Sequence, residues 1–314
     1  MRLLVAYLAI VGLLCCLWQA HAQLTITGVG GGFGAAGGGV YAGPGNVVSG
    51  ASAWWGIRAY STATRGNKVA NVCNSTGGAD VGCADMFSDA TTGIIVPATI
   101  SSITCPGANC TIKTLYDQTG ANTCSGAACD LTQGTVGSRL LLTASCFGAL
   151  ACGDGSTQTP AYTTGSTTFT IAQPYTFSGV YKRTSNFTSF GDWLACIGTG
   201  VQAQALTNSS VNSMALYTGS AIPAVTSADS TAHATQLVFN GSSSIGSIDG
   251  SDTTGLSLGN TASCGAGAGS NFRVGISFGG FRGDLNEFGV WPVGFTSTTQ
   301  TSAMSANQRA FWGF

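Results

Sequence analysis

Carboxylates are the scarce reagent in this chain. Of 314 residues, 12 are acidic, and Glu287 is the single glutamate. It sits in Arg282-Gly283-Asp284-Leu285-Asn286-Glu287-Phe288-Gly289-Val290-Trp291. Strand alternation puts Leu285, Glu287 and Gly289 on one face and Asn286, Phe288 and Val290 on the other. Glycoside hydrolysis needs two carboxylates facing each other across a sugar, so Asp284 and Glu287 form one candidate catalytic pair. The competing reading makes Glu287 the anchor of a nearby loop, or the partner of Arg282 or Arg273. Asp192-Trp193 is a second candidate, a carboxylate beside an aromatic that can stack on a sugar ring, with a structural role as its alternative.

Other chemistries find little support. Beyond residue 22 the only histidine is His233, in a polar stretch, and no Gly-x-Ser-x-Gly elbow accompanies it, which argues against a Ser-His-Asp hydrolase. One histidine and few carboxylates give no transition-metal set, and no acidic loop marks a calcium site. The glycine runs at 30–32 and 37–39 are not followed by the Lys-Ser/Thr of a phosphate-binding loop. No cofactor or metal is expected. With 11 basic residues and a net charge of −1, no basic patch is available for nucleic acid.

Residues 1–22 read as a secretory signal peptide: Arg2, an apolar run from Leu3 to Trp18, then Ala20-His21-Ala22. A membrane anchor is the alternative, but the run is short for a span. The expectation is therefore an exported chain, secreted or periplasmic, without a membrane segment once the signal is removed. Oligomeric state is not legible. Two of the 12 cysteines lie in the leader, and an even number in an exported chain reads as disulfides. Spacing suggests the couples Cys73/Cys83, Cys105/Cys110, Cys124/Cys129 and Cys146/Cys152, which leaves Cys196 and Cys264 for a long-range bridge. Five sequons, at Asn74, Asn109, Asn186, Asn208 and Asn240, matter only in a host that glycosylates.

The elements that would position these residues are strands. Gly, Ser and Thr are abundant and helix formers are rare, the composition of an all-β protein with many turns. Residues 23–48 are Gly-rich and read as a linker, with one domain over 49–314. Ala51 to Tyr60 is expected as a short helix burying Trp54, Ile57 and Tyr60. Strands are expected at Ile94–Val96, Thr111–Tyr116, Thr168–Ala172, Tyr175–Lys182, Trp193–Ile197, Ser213–Tyr217, Gln236–Asn240, Ser244–Asp249, Phe272–Phe278 and Leu285–Trp291. A closing helix is expected over Thr296–Phe311. So many short strands predict a β-sandwich rather than a parallel α/β sheet.

One stretch carries a resemblance. Cys105-x4-Cys110, a short strand, then Tyr116-Asp117-Gln118-Thr119-Gly120 resembles the catalytic domain of the α-L-arabinofuranosidase B family. There a cysteine pair of the same spacing precedes Tyr-Asp-Gln-Ser-Gly-Asn. Leu131-Thr132-Gln133, Arg58-Ala59-Tyr60-Ser61, Gly275–Gly280 and Glu287-Phe288-Gly289 match the family more loosely. The resemblance implies a concanavalin A-like jelly roll, disulfide-stapled, with short peripheral helices. It also implies a carbohydrate-directed function, with an arabinose-containing or other glycan as partner.

The chain departs from the family where the chemistry should be. The family's nucleophilic glutamate follows a Cys-Cys pair and Gly-Asn. The comparable region here runs from Ala195 to Gln202, and Gln202 stands near the glutamate's place. An amide cannot attack a glycosidic carbon, so Gln202 is a candidate for sugar contact alone, with Trp193. The family's acid/base aspartate follows Gly-Gly, whereas Gly279-Gly280 is followed by Phe281. The resulting expectation is a glycan-binding protein that has lost hydrolysis. The alternatives are a retaining α-L-arabinofuranosidase using displaced carboxylates, which would remove side chains from plant polysaccharide, and a structural surface protein.

Overall fold

The structure is a computed structural model, describing residues 41–95, 110–147, 150–155, 160–183, 190–198, 203–208, 213–219, 224–226, 230–259, 261–275 and 282–314. Two antiparallel layers form a β-sandwich. One layer runs in the order Ser251–Leu256, Ser244–Ile248, Ala232–Phe239, Tyr175–Arg183, Gly283–Trp291, with Ala53–Gly56 on the far edge of the last. The other runs Ala224–Thr226, Ser213–Tyr217, Ala203–Asn208, Phe190–Ile197, Ala268–Val274. It continues through Tyr162–Thr163 and Leu131–Thr132 to Cys110–Leu115, Lys68–Asn74 and Gly82–Phe87. The hairpin of Leu141–Phe147 and Leu150–Asp154 joins the layers, pairing with Cys110–Leu115 on one side and Gly283–Trp291 on the other.

Alternation builds the core between the layers. Tyr175, Phe177 and Tyr181 stand opposite Phe239, Leu237 and His233, and Phe288 and Val290 lie in the same apolar cluster. The helix expected at Ala51–Tyr60 is instead the strand Ala53–Gly56. The reason lies in its two tryptophans. Trp55 joins the inner core and Trp54 an outer one, both wholly buried, which adjacent residues of a strand achieve by pointing to opposite faces.

The outer core lies under a helix at Gln300–Trp312, close to the expected closing helix. Met304, Phe295, Trp291, Val238, Tyr60 and Trp54 fill it. The helix also bonds the sheet through Gln308 Oε1, which accepts from Gln236 Nε2 at 2.8 Å, and Ser305 Oγ, which donates to Gln236 Oε1 at 2.8 Å. Its start is held by Asp252, whose Oδ2 accepts from Ser297 Oγ, the Thr298 amide and Thr301 Oγ1. Gly313, at φ 77°, ends it in the left-handed conformation that glycine adopts without strain. Residues 44–47 form one short helical turn, so the packed chain extends upstream of Ser49 to the buried Tyr41.

Among the described residues three disulfides form as expected: Cys73–Cys83 and Cys124–Cys129 from their spacing and Cys196–Cys264 as the remaining long-range pair. Cys110 is buried, and its expected partner Cys105 lies outside the described residues. The side chains of Cys146 and Cys152 also lie outside the description.

Candidate functional site

The single glutamate is locked. Glu287 and Arg58 form a wholly buried ion pair, Arg58 Nε to Glu287 Oε2, with Arg58 Nη2 donating to Glu287 Oε1 at 2.8 Å. The same Nη2 donates to Asn307 Oδ1 of the closing helix at 2.9 Å, and the guanidinium lies 4.1 Å from the Phe311 ring centroid. Burial works against the Arg58 charge, but the Glu287 carboxylate and Tyr41 together outweigh it and push its pKa above the ordinary arginine value. The sequence-derived partners Arg282 and Arg273 are replaced by Arg58, two residues past the Ala53–Gly56 strand and 229 residues away in sequence. The pair ties Ala53–Ala59, the Gly283–Trp291 strand and the closing helix together.

Most aspartates are committed in the same way. Asp80 accepts from Arg139 Nη1 at 2.6 Å and Lys113 Nζ at 3.1 Å, and Arg139 holds its pKa well below the carboxylate range. Asp85 accepts from Tyr116 Oη at 2.6 Å and Asn71 Nδ2 at 2.9 Å and pairs with Lys68, bonds that lower its pKa to about 2. Asp89 caps the turn at Thr91 and Thr92. Asp249 Oδ2 lies 2.8 Å from His233 Nδ1, beside Tyr181, and its Oδ1 accepts from the Ala234 amide. Cys73, Asp80 and Cys83 come within metal-ligand reach of one another, but both sulfurs are spent in the disulfide and Asp80 is held by Arg139.

The Tyr116–Gly120 turn is a hub of the fold. Asp117 Oδ1 accepts from the Trp54 amide at 3.2 Å, the Thr119 amide at 3.0 Å and Thr119 Oγ1 at 2.8 Å, while its Oδ2 accepts from the Cys129 amide at 3.2 Å. The Asp117 amide donates to Asp130 Oδ1 at 2.9 Å. Burial and the neighbouring Asp117 charge raise the Asp130 pKa. Gln118 is buried; its Oε1 accepts from the Tyr60 amide, and its Nε2 donates to the carbonyls of Gly56 and Arg58. This side chain supplies the hydrogen bonds that the chain after Gly56 cannot make within a sheet.

A second group of residues lies at one end of the sandwich. Asp284 is nearly buried and stands opposite Lys182 in the sheet. On its other side, Gly155 and Gly283 exchange both backbone hydrogen bonds and Gly153 stands opposite Leu285. This register places Asp154 directly across from Asp284. Glycine is required at two neighbouring positions. At Gly283, φ 148°, a Cβ would meet the Lys182 carbonyl, and at Gly275, φ 72°, the Pro160 carbonyl. The backbone of Asp192 lies near the start of the Phe190–Ile197 strand of the other layer, opposite Leu206 at a bulge. Antiparallel pairing with Ala268–Val274 brings Asp192 to the end at which that strand runs into Gly275. Asn286 is 1 % exposed, and neither amide atom has a hydrogen-bond partner among the described residues.

Asp192 and Asp284 therefore share an end, and Glu287 is drawn away beneath the helix. The side chains of Asp192 and Trp193 lie outside the description, and Gln202 lies outside the described residues. Asp154 was missed in the sequence, because only strand register reveals its position beside Asp284. The signal available was Gly153-Asp154-Gly155, an acidic residue in a bend-prone triplet.

No protein-family model matches the sequence, and no curated protein sequence matches it. Solved structures do. A GH54 α-L-arabinofuranosidase soaked with a cyclic sulfate inhibitor superposes with a TM-score of 0.59 at 14 % identity, over 85 % of this chain and 65 % of that one. An arabinofuranosidase complexed with arabinofuranosyl-α-1,2-xylobiose gives a TM-score of 0.54 at 15 % identity, with the same coverage. This chain thus spans 65 % of the length of the arabinofuranosidases it matches. The likeness is one of fold: an all-β, disulfide-stapled sandwich of the arabinofuranosidase kind.

Proposed function

We propose that this protein is exported, binds an arabinose-containing glycan and does not hydrolyse it. The observation that carries the reading is the fate of Glu287. In an arabinofuranosidase-like fold, the one glutamate of the chain is buried under the closing helix with both oxygens bonded to Arg58. A retaining mechanism needs two reachable carboxylates about 5 to 5.5 Å apart. Disulfides fit an oxidising compartment, and no described helix is long and apolar enough to cross a membrane.

A second reading rests on the register of Asp154 against Asp284, with Asp192 at the same end: an active α-L-arabinofuranosidase that works through aspartates. One assay separates the two, namely arabinose release from an aryl arabinofuranoside with Asp192→Asn, Asp284→Asn and Asp154→Asn as controls, run beside a glycan array. Binding to arabinosylated glycans without turnover is the expected result. Turnover abolished by any of these changes would overturn the non-catalytic reading. Neither turnover nor binding would leave a structural surface protein.

A further inference from the structure

We propose that Asn240 is the acceptor of an N-linked glycan, an assignment that rests on export into a glycosylating compartment. The hairpin between Ala232–Phe239 and Ser244–Ile248 turns at Asn240-Gly241-Ser242, a sequon. Its backbone is fixed. The Ser243 amide donates to the Asn240 carbonyl at 2.8 Å, the Asn240 amide to Ser244 Oγ at 2.9 Å, and the Gly241 amide to Gln173 Oε1 at 2.6 Å. Gly241, at φ 52°, is buried, while Asn240 and Ser242 on either side of it are exposed. The acceptor amide and the hydroxyl two residues on, the two groups a sequon must present, therefore both face solvent from a rigid tip.

The sequons at Asn109 and Asn74 are built differently. Thr111, the hydroxyl of the Asn109 sequon, is buried and bonded to Ser75 and Arg139. Asn74 is half-buried between two paired strands, and its Oδ1 already accepts from Thr76 Oγ1 at 2.7 Å. Asn186 lies outside the described residues, as does the Asn208 side chain. Position also favours Asn240. Phe239 pairs with Tyr175, and Ala232 pairs with Lys182, which neighbours Asp284. Seven residues of strand, about 23 Å at about 3.3 Å each, separate the two ends, so a glycan at Asn240 leaves the Asp284 end open.

The co-reactant is a polyprenyl-diphosphate-linked oligosaccharide. A bond forms between Asn240 Nδ2 and C1 of the first sugar, the C1–O bond to the diphosphate breaks, and one amide proton is lost.

The test expresses residues 23–314 in yeast behind a yeast secretion leader, with the native leader as a second arm. Secreted protein is treated with peptide N-glycosidase and mapped by mass spectrometry. The expected result is glycan removed by the enzyme, conversion of Asn240 to aspartate, and loss of one mobility step in both Asn240→Gln and Ser242→Ala. Ser242→Thr should retain it, so a variant that merely misfolds is distinguishable. Secreted protein with an unmodified Asn240 peptide overturns the assignment. Glycosylation behind the yeast leader but retention behind the native one supports the Asn240 assignment and removes export by residues 1–22.

Discussion

Replacing Glu287 with glutamine tests whether the one glutamate of this chain serves the fold or a reaction. The substitution keeps the shape and removes the charge facing Arg58, whose side chain, like that of Glu287, is 0 % exposed. Arg58 would keep its hydrogen bond to Asn307 and its contact with the Phe311 ring, but its charge would stand uncompensated in a dry core. Breaking one side of a buried pair costs about 3–5 kcal/mol. For a domain of this size each kcal/mol is worth roughly 2–4 °C, so a fall of roughly 6–20 °C in Tm is expected. Tryptophan fluorescence reports it, since Trp54 and Trp291 lie in the outer core beneath the same helix. The double variant Arg58→Met/Glu287→Leu should recover much of the loss, because it removes both charges and retains the volume. A Glu287→Gln protein with wild-type Tm that has lost glycan turnover would refute the reasoning and make Glu287 a reacting group.

Two further outcomes follow from the structure. Asp85 has a folded pKa of about 2, below the unfolded value of about 3.9. Its stabilisation is therefore complete above the unfolded value and disappears as pH falls through about 2. Acid unfolding followed by circular dichroism should lose less stability over that window in Asp85→Asn than in the parent. The Cys196–Cys264 bridge closes a 68-residue separation and Cys124–Cys129 one of 5, so chain entropy assigns them about 4 and about 2 kcal/mol. Paired Cys→Ala variants compared by urea denaturation should rank in that order, and the reverse order would locate the stabilisation in local packing.

Fold class and much of the framework were legible in the sequence. Composition and turn density specified an all-β sandwich, spacing specified both short-range disulfide couples that lie among the described side chains and left the long bridge as the remainder, and Ser213–Tyr217 appears with its expected bounds. These properties are local, or follow from counting. The tryptophan strand was misread because a strand buried on both faces has no polar alternation to mark it; only packing against two cores shows why Trp54 and Trp55 adjoin. Strands such as Lys68–Asn74 and Gly82–Phe87 went unread because their residues mix polar and apolar without a clear period.

The site depended on tertiary structure still more. Alternation separated Glu287 from Phe288, but a bulge at Asn286 returns Leu285 to the inner face opposite Tyr181, and the sequence could not supply Arg58 as the partner of Glu287, since the two meet only when the first strand and the closing helix dock on one sheet. Nor could it bring Asp154 opposite Asp284, which follows from the register of the hairpin that joins the layers. A sequence records which carboxylates exist and which face of a strand they take. Whether a carboxylate meets a guanidinium in a dry core, and which residue stands opposite it across a strand, is decided by long-range pairing.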